Sequence, residues 1–167
     1  MIGPEDPIVY PAGVDRVDHE GELAVIIGKI TRRVDEADAM QAALGFCCAN
    51  DVTARNLQKI DGQWTRAKGF DTFCPLGPWI ETDLDSSDLA LRTLVNGATR
   101  QSSRTSLLER GVASLITFVS AVMTLLPGDV LLTGTPAGVG PIQVGDRVEV
   151  EIEGIGVLAN PVVAEPT

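Results

Sequence analysis

The chain has 167 residues, enough for one domain with a continuous core, and its 44% hydrophobic and 22% charged residues are those of an ordinary globular protein. A formal net charge of −10 repels phosphate backbones and anionic lipids, which argues against nucleic acid and membrane surfaces as partners. The same charge repels an anionic substrate, so such a ligand would need a local cation.

The opening residues Met1 to Pro7 show no basic region followed by an apolar run, so no signal peptide is expected. Pro4, Pro7 and Pro11 punctuate an extended stretch with Ile8 to Tyr10 as a short strand. Glu22 to Gly28 is β-branched and apolar, a buried strand, and Asp35 to Leu44 carries the spacing of a short helix. Phe46 to Ala49 reads as a second buried strand. Cys47 and Cys48 there point to opposite faces and cannot grip one ion together. With Cys74 they form no disulfide or zinc pattern and are expected as small core residues in a reducing, cytoplasmic setting. Asp51 to Gln58 is expected to open as a helical turn. Asn96-Gly97, between Leu91–Val95 and Thr99–Ser102, is a strong hairpin signal.

Val112, Leu115, Ile116, Val119, Val122, Met123 and Leu126 have the period of a helix with one buried face, stopped by Pro127-Gly128-Asp129. That segment is interrupted by Ser and Thr and is shorter than the ~20 residues that span a bilayer. A strand from Val130 to Thr133 leads into the Gly-rich loop Gly134 to Gly140, and strands Arg147–Ile152 and Val157–Val163 follow. The elements predict a mixed, mainly β chain, a closed β-roll or sandwich with a few short helices, folded as a single domain over residues 1–167.

Four segments carry candidate chemistry. On a strand, Glu20 and Glu22 share a face while His19 and Gly21 turn away. The pair is either a solvated strand end or two ligands for one cation. If 51–58 is helical, Asp51, Arg55 and Gln58 share one face. Asp51 is then either an N-cap with Arg55 as its ion-pair partner or part of a site. Trp64 to Trp79 is a shaped loop containing Lys68 and Asp71, which would also suit an exposed pair. The Gly134–Gly140 loop lacks the Lys of a phosphate-binding loop, but its backbone N–H groups and the Thr135 hydroxyl could receive a carboxylate.

Taken in order, Glu20-Gly-Glu22, Asn50-Asp-Val-Thr-Ala-Arg-Asn-Leu-Gln58, the Lys68-to-Pro78 block, Asn96-Gly-Ala-Thr-Arg-Gln101 and Gly134-Thr-Pro-Ala-Gly-Val-Gly140 resemble the fumarylacetoacetate hydrolase family. The resemblance implies Mg²⁺ or Mn²⁺ on Glu20, Glu22 and Asp51, with Lys68 and Arg55 as catalytic groups and Gln58, Gly134 and Thr135 at the substrate. It also implies the family's β-roll and a homodimer. Three carboxylates without His or Cys are a hard oxygen set, and a 2-oxo acid could chelate such an ion through carboxylate and keto oxygens. The expected reaction is hydrolysis of a C–C bond in an acylpyruvate- or fumarylacetoacetate-like substrate through a chelated enolate. The alternatives are hydroxyheptadienedioate-type isomerisation, oxaloacetate decarboxylation, or a truncated, inactive metal- or ligand-binding domain. The family's N-terminal segment, with its water-activating His and Glu, is expected to be absent, and His19 reads as a packing residue.

Overall fold

The computed structural model describes residues 1–166; among them, twelve strands in three sheets dominate. The largest sheet joins β1 (Ile8–Tyr10), β12 (Gly156–Ala164), β11 (Arg147–Ile152), β7 (Ala90–Val95) and β8 (Ala98–Arg104), in that order. Only the β1–β12 pair in it is parallel. A small sheet pairs β10 (Gly140–Ile142), β2 (Val17–His19) and β5 (Thr53–Ala54). The third has the order β6 (Leu76–Glu81), β4 (Ala43–Asn50), β3 (Gly21–Ile27), β9 (Val130–Leu132). This is the mainly β architecture that the alternating segments predict.

β3 is buried at every position because β4 and β9 flank it on both edges. Its alternation divides the interior: Leu23, Val25 and Ile27 enter the main core with Cys48 and Phe46, while Ala24 and Ile26 pack with Cys47 in a smaller cluster. Each such aliphatic side chain contributes about 1.5–3 kcal/mol by leaving water. Burial pushes the Cys47 thiol up to about 11 and the Cys48 thiol up to about 12, so both remain protonated packing groups. Gly21 is dictated by contact: a Cβ there would lie 1.9 Å from the Thr93 hydroxyl oxygen on β7. The β7–β8 hairpin turns through Asn96 and Gly97 at φ 53° and 76°, the left-handed pair its tight turn requires.

Local pattern is overruled in three places. The helix expected over 35–44 is one α-turn, α1 (Glu36–Ala39), plus a 3₁₀ turn (Met40–Ala42), and Ala43 already belongs to β4. Asp51 does not start a helix. Residues 53–54 pair with Val17 and Asp18 as β5, and α2 (Arg55–Asp61) begins only at Arg55, followed by α3 (Thr65–Lys68). The longest described helix, α4 (Val112–Val122), stops short of Leu126 because Met123 turns extended and Leu125 exchanges two backbone hydrogen bonds with Thr31, each 2.9 Å. Its buried stripe is Val112, Ile116 and Ser120, whereas Phe118 and Val122, with Met123 and Leu126 beyond the helix, are more than half exposed.

Candidate metal and substrate site

The β3–β4 ladder sets Gly21 opposite Asn50, which carries the end of β4 alongside Glu20. Two hydrogen bonds lock that corner. The Glu20 N–H donates to Asn50 Oδ1 at 2.9 Å, and the Asp51 N–H donates to the Glu20 carbonyl at 2.8 Å. Carboxylate oxygens of Glu20, Glu22 and Asp51 consequently lie within 4.8 Å of one another. Glu20 and Glu22 share a face as expected, and Asp51 reaches them from an extended segment instead of a helix start.

Such crowding of like charges in a buried corner has a protonation cost. Burial, then the charges of Asp51 and Glu20, push the Glu22 carboxyl up to about 8, although the Gly134 N–H donates to Glu22 Oε2 at 2.6 Å. Burial also raises Asp51, partly offset by Lys68.

Two cations answer the carboxylates. Lys68, ending α3, donates from Nζ to the Asp51 carboxylate, to Glu20 Oε2 at 3.0 Å and to Thr53 Oγ1 at 3.0 Å. Burial opposes its charge, but Asp51 and Glu20 prevail and hold its pKa above the usual lysine value. Arg55 forks from the first position of α2: Nε to Asp18 Oδ2 at 2.9 Å, Nη2 to Glu20 Oε1 at 2.6 Å and Nη1 to Gln58 Oε1 at 2.7 Å. Asp18, only 1% exposed, takes a second guanidinium from Arg16; burial would raise its pKa, but the two arginines hold it below the ordinary range. With Glu22 protonated, Asp18, Glu20 and Asp51 face Arg16, Arg55 and Lys68, and the corner is near neutrality.

The donor set fits a hard divalent ion. It is all oxygen, its acidic members converge, and one of them is kept protonated by burial and, after that, by the neighbouring carboxylates, a cost that an ion would relieve. The ammonium of Lys68 already lies among these carboxylates.

Arg55, Gln58, Lys68 and the three carboxylates are therefore brought together, with Gly134 joined through its backbone. Thr135 lies one residue further along. Its hydroxyl donates to the Gly21 carbonyl at 2.9 Å and accepts from Gln101 Nε2 at 2.8 Å. Asp71 is exposed and forms no ion pair with Lys68 among the described residues. His19, 1% exposed, turns away from the carboxylates and places Nδ1 3.2 Å from Gln101 Oε1; burial lowers its pKa, as suits a packing residue. Asp18, Asn50, Thr53 and Gln101 were not singled out for a role by sequence pattern, since each acts through a contact made only in the folded chain. A cavity of about 360 Å³ opens against Leu23, Leu91 and Leu115 and shares the Thr133–Pro136 segment, but none of the three carboxylates lines it. The convergence of charge, not that cavity, marks the site.

A mainly β domain with three converging carboxylates, two of them buried, and a lysine and an arginine paired to them has the donor set of a divalent-ion site. Residues 1–163 match the family model described as fumarylacetoacetate (FAA) hydrolase C-terminal, and the chain belongs to that family. Protein Rv2993c of Mycobacterium tuberculosis is 57% identical over 166 residues, covering 98% of this chain and 63% of that protein. A mitochondrial oxaloacetate tautomerase, fahd2, of Xenopus laevis is 43% identical over 98% of this chain and 55% of its own length. Among solved structures, a 5-carboxymethyl-2-hydroxymuconate delta-isomerase from Mycobacterium smegmatis superposes with TM-score 0.97 at 60% identity, covering 99% of this chain and 66% of that one. A fumarylacetoacetate hydrolase from Exiguobacterium antarcticum gives 0.94 at 47% identity, covering 98% and 62%. The chain thus spans between 55% and 66% of these relatives' lengths.

Proposed function

We propose that this chain binds Mg²⁺ or Mn²⁺ through Glu20, Glu22 and Asp51 and moves a proton on a small 2-oxo acid held there, as a tautomerase or isomerase. The observation that carries this reading is Lys68, a protonated amine fixed by Asp51, Glu20 and Thr53 at the rim of the triad. The names of the M. smegmatis and Xenopus relatives, an isomerase and a tautomerase, support it. The ion, when bound, supplies a Lewis acid that polarises the keto oxygen of the acid. The chain's own residues do the rest. Arg55, anchored on Asp18 and Glu20, offers the cation that an anionic substrate needs near a chain of net charge −10. Gln58 fixes the plane of that guanidinium. The Gly134 N–H orients Glu22, and Thr135 holds the loop beside the segment carrying Glu20 and Glu22. Lys68, protonated in the resting chain, delivers a proton to the carbon next to the keto group, and the neutral amine so formed takes that proton back in the reverse direction.

Hydrolysis of a C–C bond in an acylpyruvate- or fumarylacetoacetate-like substrate is the second reading, favoured by the 47% identity to a fumarylacetoacetate hydrolase. A homodimer in the cytoplasm completes the proposal. It is consistent with the exposed apolar side chains Phe118, Val122 and Met123, and no described helix is long and apolar enough to cross a membrane.

The test sets oxaloacetate keto–enol conversion, dienol ketonisation, acetylpyruvate cleavage and oxaloacetate decarboxylation side by side with Mg²⁺. The first two should exceed the free-ion rate, and Lys68→Met should lower them by about 10²–10⁴-fold. Acceleration of acetylpyruvate cleavage alone would establish the hydrolase. No rate above the free ion would leave a ligand-binding domain. Oxalate should bind only when Mn²⁺ is present, and Asp51→Asn should abolish both.

A further inference from the structure

We propose that Gln101, on β8, is a positioning residue whose amide clamps the Gly134–Pro136 loop onto the Glu20–Glu22 segment. The inference rests on the metal-site reading above and extends it to a residue that touches neither ion nor substrate. Gln101 is 1% exposed and its amide is saturated. Oε1 accepts the Gly21 N–H at 3.0 Å and lies 3.2 Å from His19 Nδ1, while Nε2 donates to Thr135 Oγ1 at 2.8 Å and to the Pro136 carbonyl at 2.8 Å.

The orientation of that amide is dictated by its partners. The Gly21 N–H can only donate and the Pro136 carbonyl can only accept, so a flipped amide would lose both bonds. His19 must then carry its proton on Nδ1 to donate to Oε1. The circuit closes through Thr135, whose hydroxyl donates to the Gly21 carbonyl at 2.9 Å. Both backbone polar groups of Gly21, the residue between two triad carboxylates, are thus held by one side chain and its hydroxyl partner.

The geometric consequence falls on Gly134. Its neighbour Thr135 is pinned to Gly21, and Thr133 is pinned to the Leu23 carbonyl by its N–H at 3.2 Å and its hydroxyl at 2.9 Å. Between these two pins the Gly134 N–H meets Glu22 Oε2 at 2.6 Å. Releasing the Thr135 pin frees the loop to lift, and Glu22 loses the donor that orients it. Outer partners of this kind typically change ion affinity by about 10–100-fold.

Two readouts test the clamp, neither of them turnover. In the metal-free chain, amide hydrogen exchange at Gly134 should accelerate about tenfold or more in Gln101→Met and Thr135→Val and stay near wild type in Thr135→Ser, which keeps the hydroxyl. Calorimetry should show Mn²⁺ binding about tenfold weaker in the first two variants and within twofold of wild type in the third. Should Gln101→Met not fold, the Thr135 pair decides alone. Unchanged Gly134 exchange and Mn²⁺ affinity in Thr135→Val would overturn the clamp. A wild-type chain that binds no Mn²⁺ but shows the exchange pattern would overturn the metal reading and leave the clamp standing.

Discussion

In the proposed site, Glu22 would make ion binding a proton-exchange reaction. Its carboxyl, pushed up to about 8 by burial and by Asp51 and Glu20, is mostly protonated at neutral pH in the metal-free chain. A carboxylic acid must lose its proton to become a ligand, so binding releases a proton. At pH 7, one unit below that value, about nine chains in ten carry the proton, and each further unit of acid weakens binding about tenfold, about 1.4 kcal/mol. Affinity should therefore rise as pH climbs from 6 to 8 and level off above. Mn²⁺ titrations at pH 7 in two buffers of different ionisation enthalpy should show close to one proton released per ion. In Glu22→Gln the Gly134 N–H keeps an acceptor, so residual binding should be weak and pH-insensitive. The wild-type sign also has a stability counterpart. A carboxyl raised in the folded state binds more protons there than when unfolded, so the metal-free chain should lose stability from about pH 4.5 towards 8. Equal wild-type affinities at pH 6.5 and 7.5, with heats that do not depend on the buffer, would refute this account of Glu22.

Thr93 is fully buried on β7 and its hydroxyl has no hydrogen-bond partner among the described residues, so Thr93→Val should stabilise the chain by about 1 kcal/mol, read as a thermal midpoint about 2–4 °C higher. Arg55→Lys keeps the charge but cannot reproduce the fork onto Asp18, Glu20 and Gln58, and should cost about 2 kcal/mol in urea unfolding. Arg92→Lys, at the exposed pair with Glu151, should change stability by less than about 0.5 kcal/mol in the same assay.

What could be read from the residues alone was whatever local pattern decides. The Asn96-Gly97 turn demands positive φ at two positions, and nothing distant competes with that. Glu20 and Glu22 share a face by the period of a strand, whatever surrounds them. Asp51 is the opposite case. Asp-Val-Thr-Ala suits a helix start, yet Thr53 and Ala54 gain ladder hydrogen bonds to Asp18 and Val17 and remain extended. That pairing moves Arg55 away from Asp51 and towards Asp18 and Glu20, so an expected i, i+4 pair became a contact across 37 residues. The α4 end failed for the same kind of reason, since Thr31 captures Leu125 from 94 residues upstream. Gln101 stands 80 residues from Gly21 and 34 from Thr135, and no spacing rule connects them.

The antiparallel pairing of β3 with β4 supplies the site from both partners of one ladder. An unfolded chain has no such meeting point, so a divalent ion that joins both strands recognises only the native state. By mass action, free ion at 100 times its dissociation constant would add about 2.7 kcal/mol to the unfolding free energy. The melting point then becomes a gauge of free Mn²⁺, and a chelator should lower it without breaking a covalent bond.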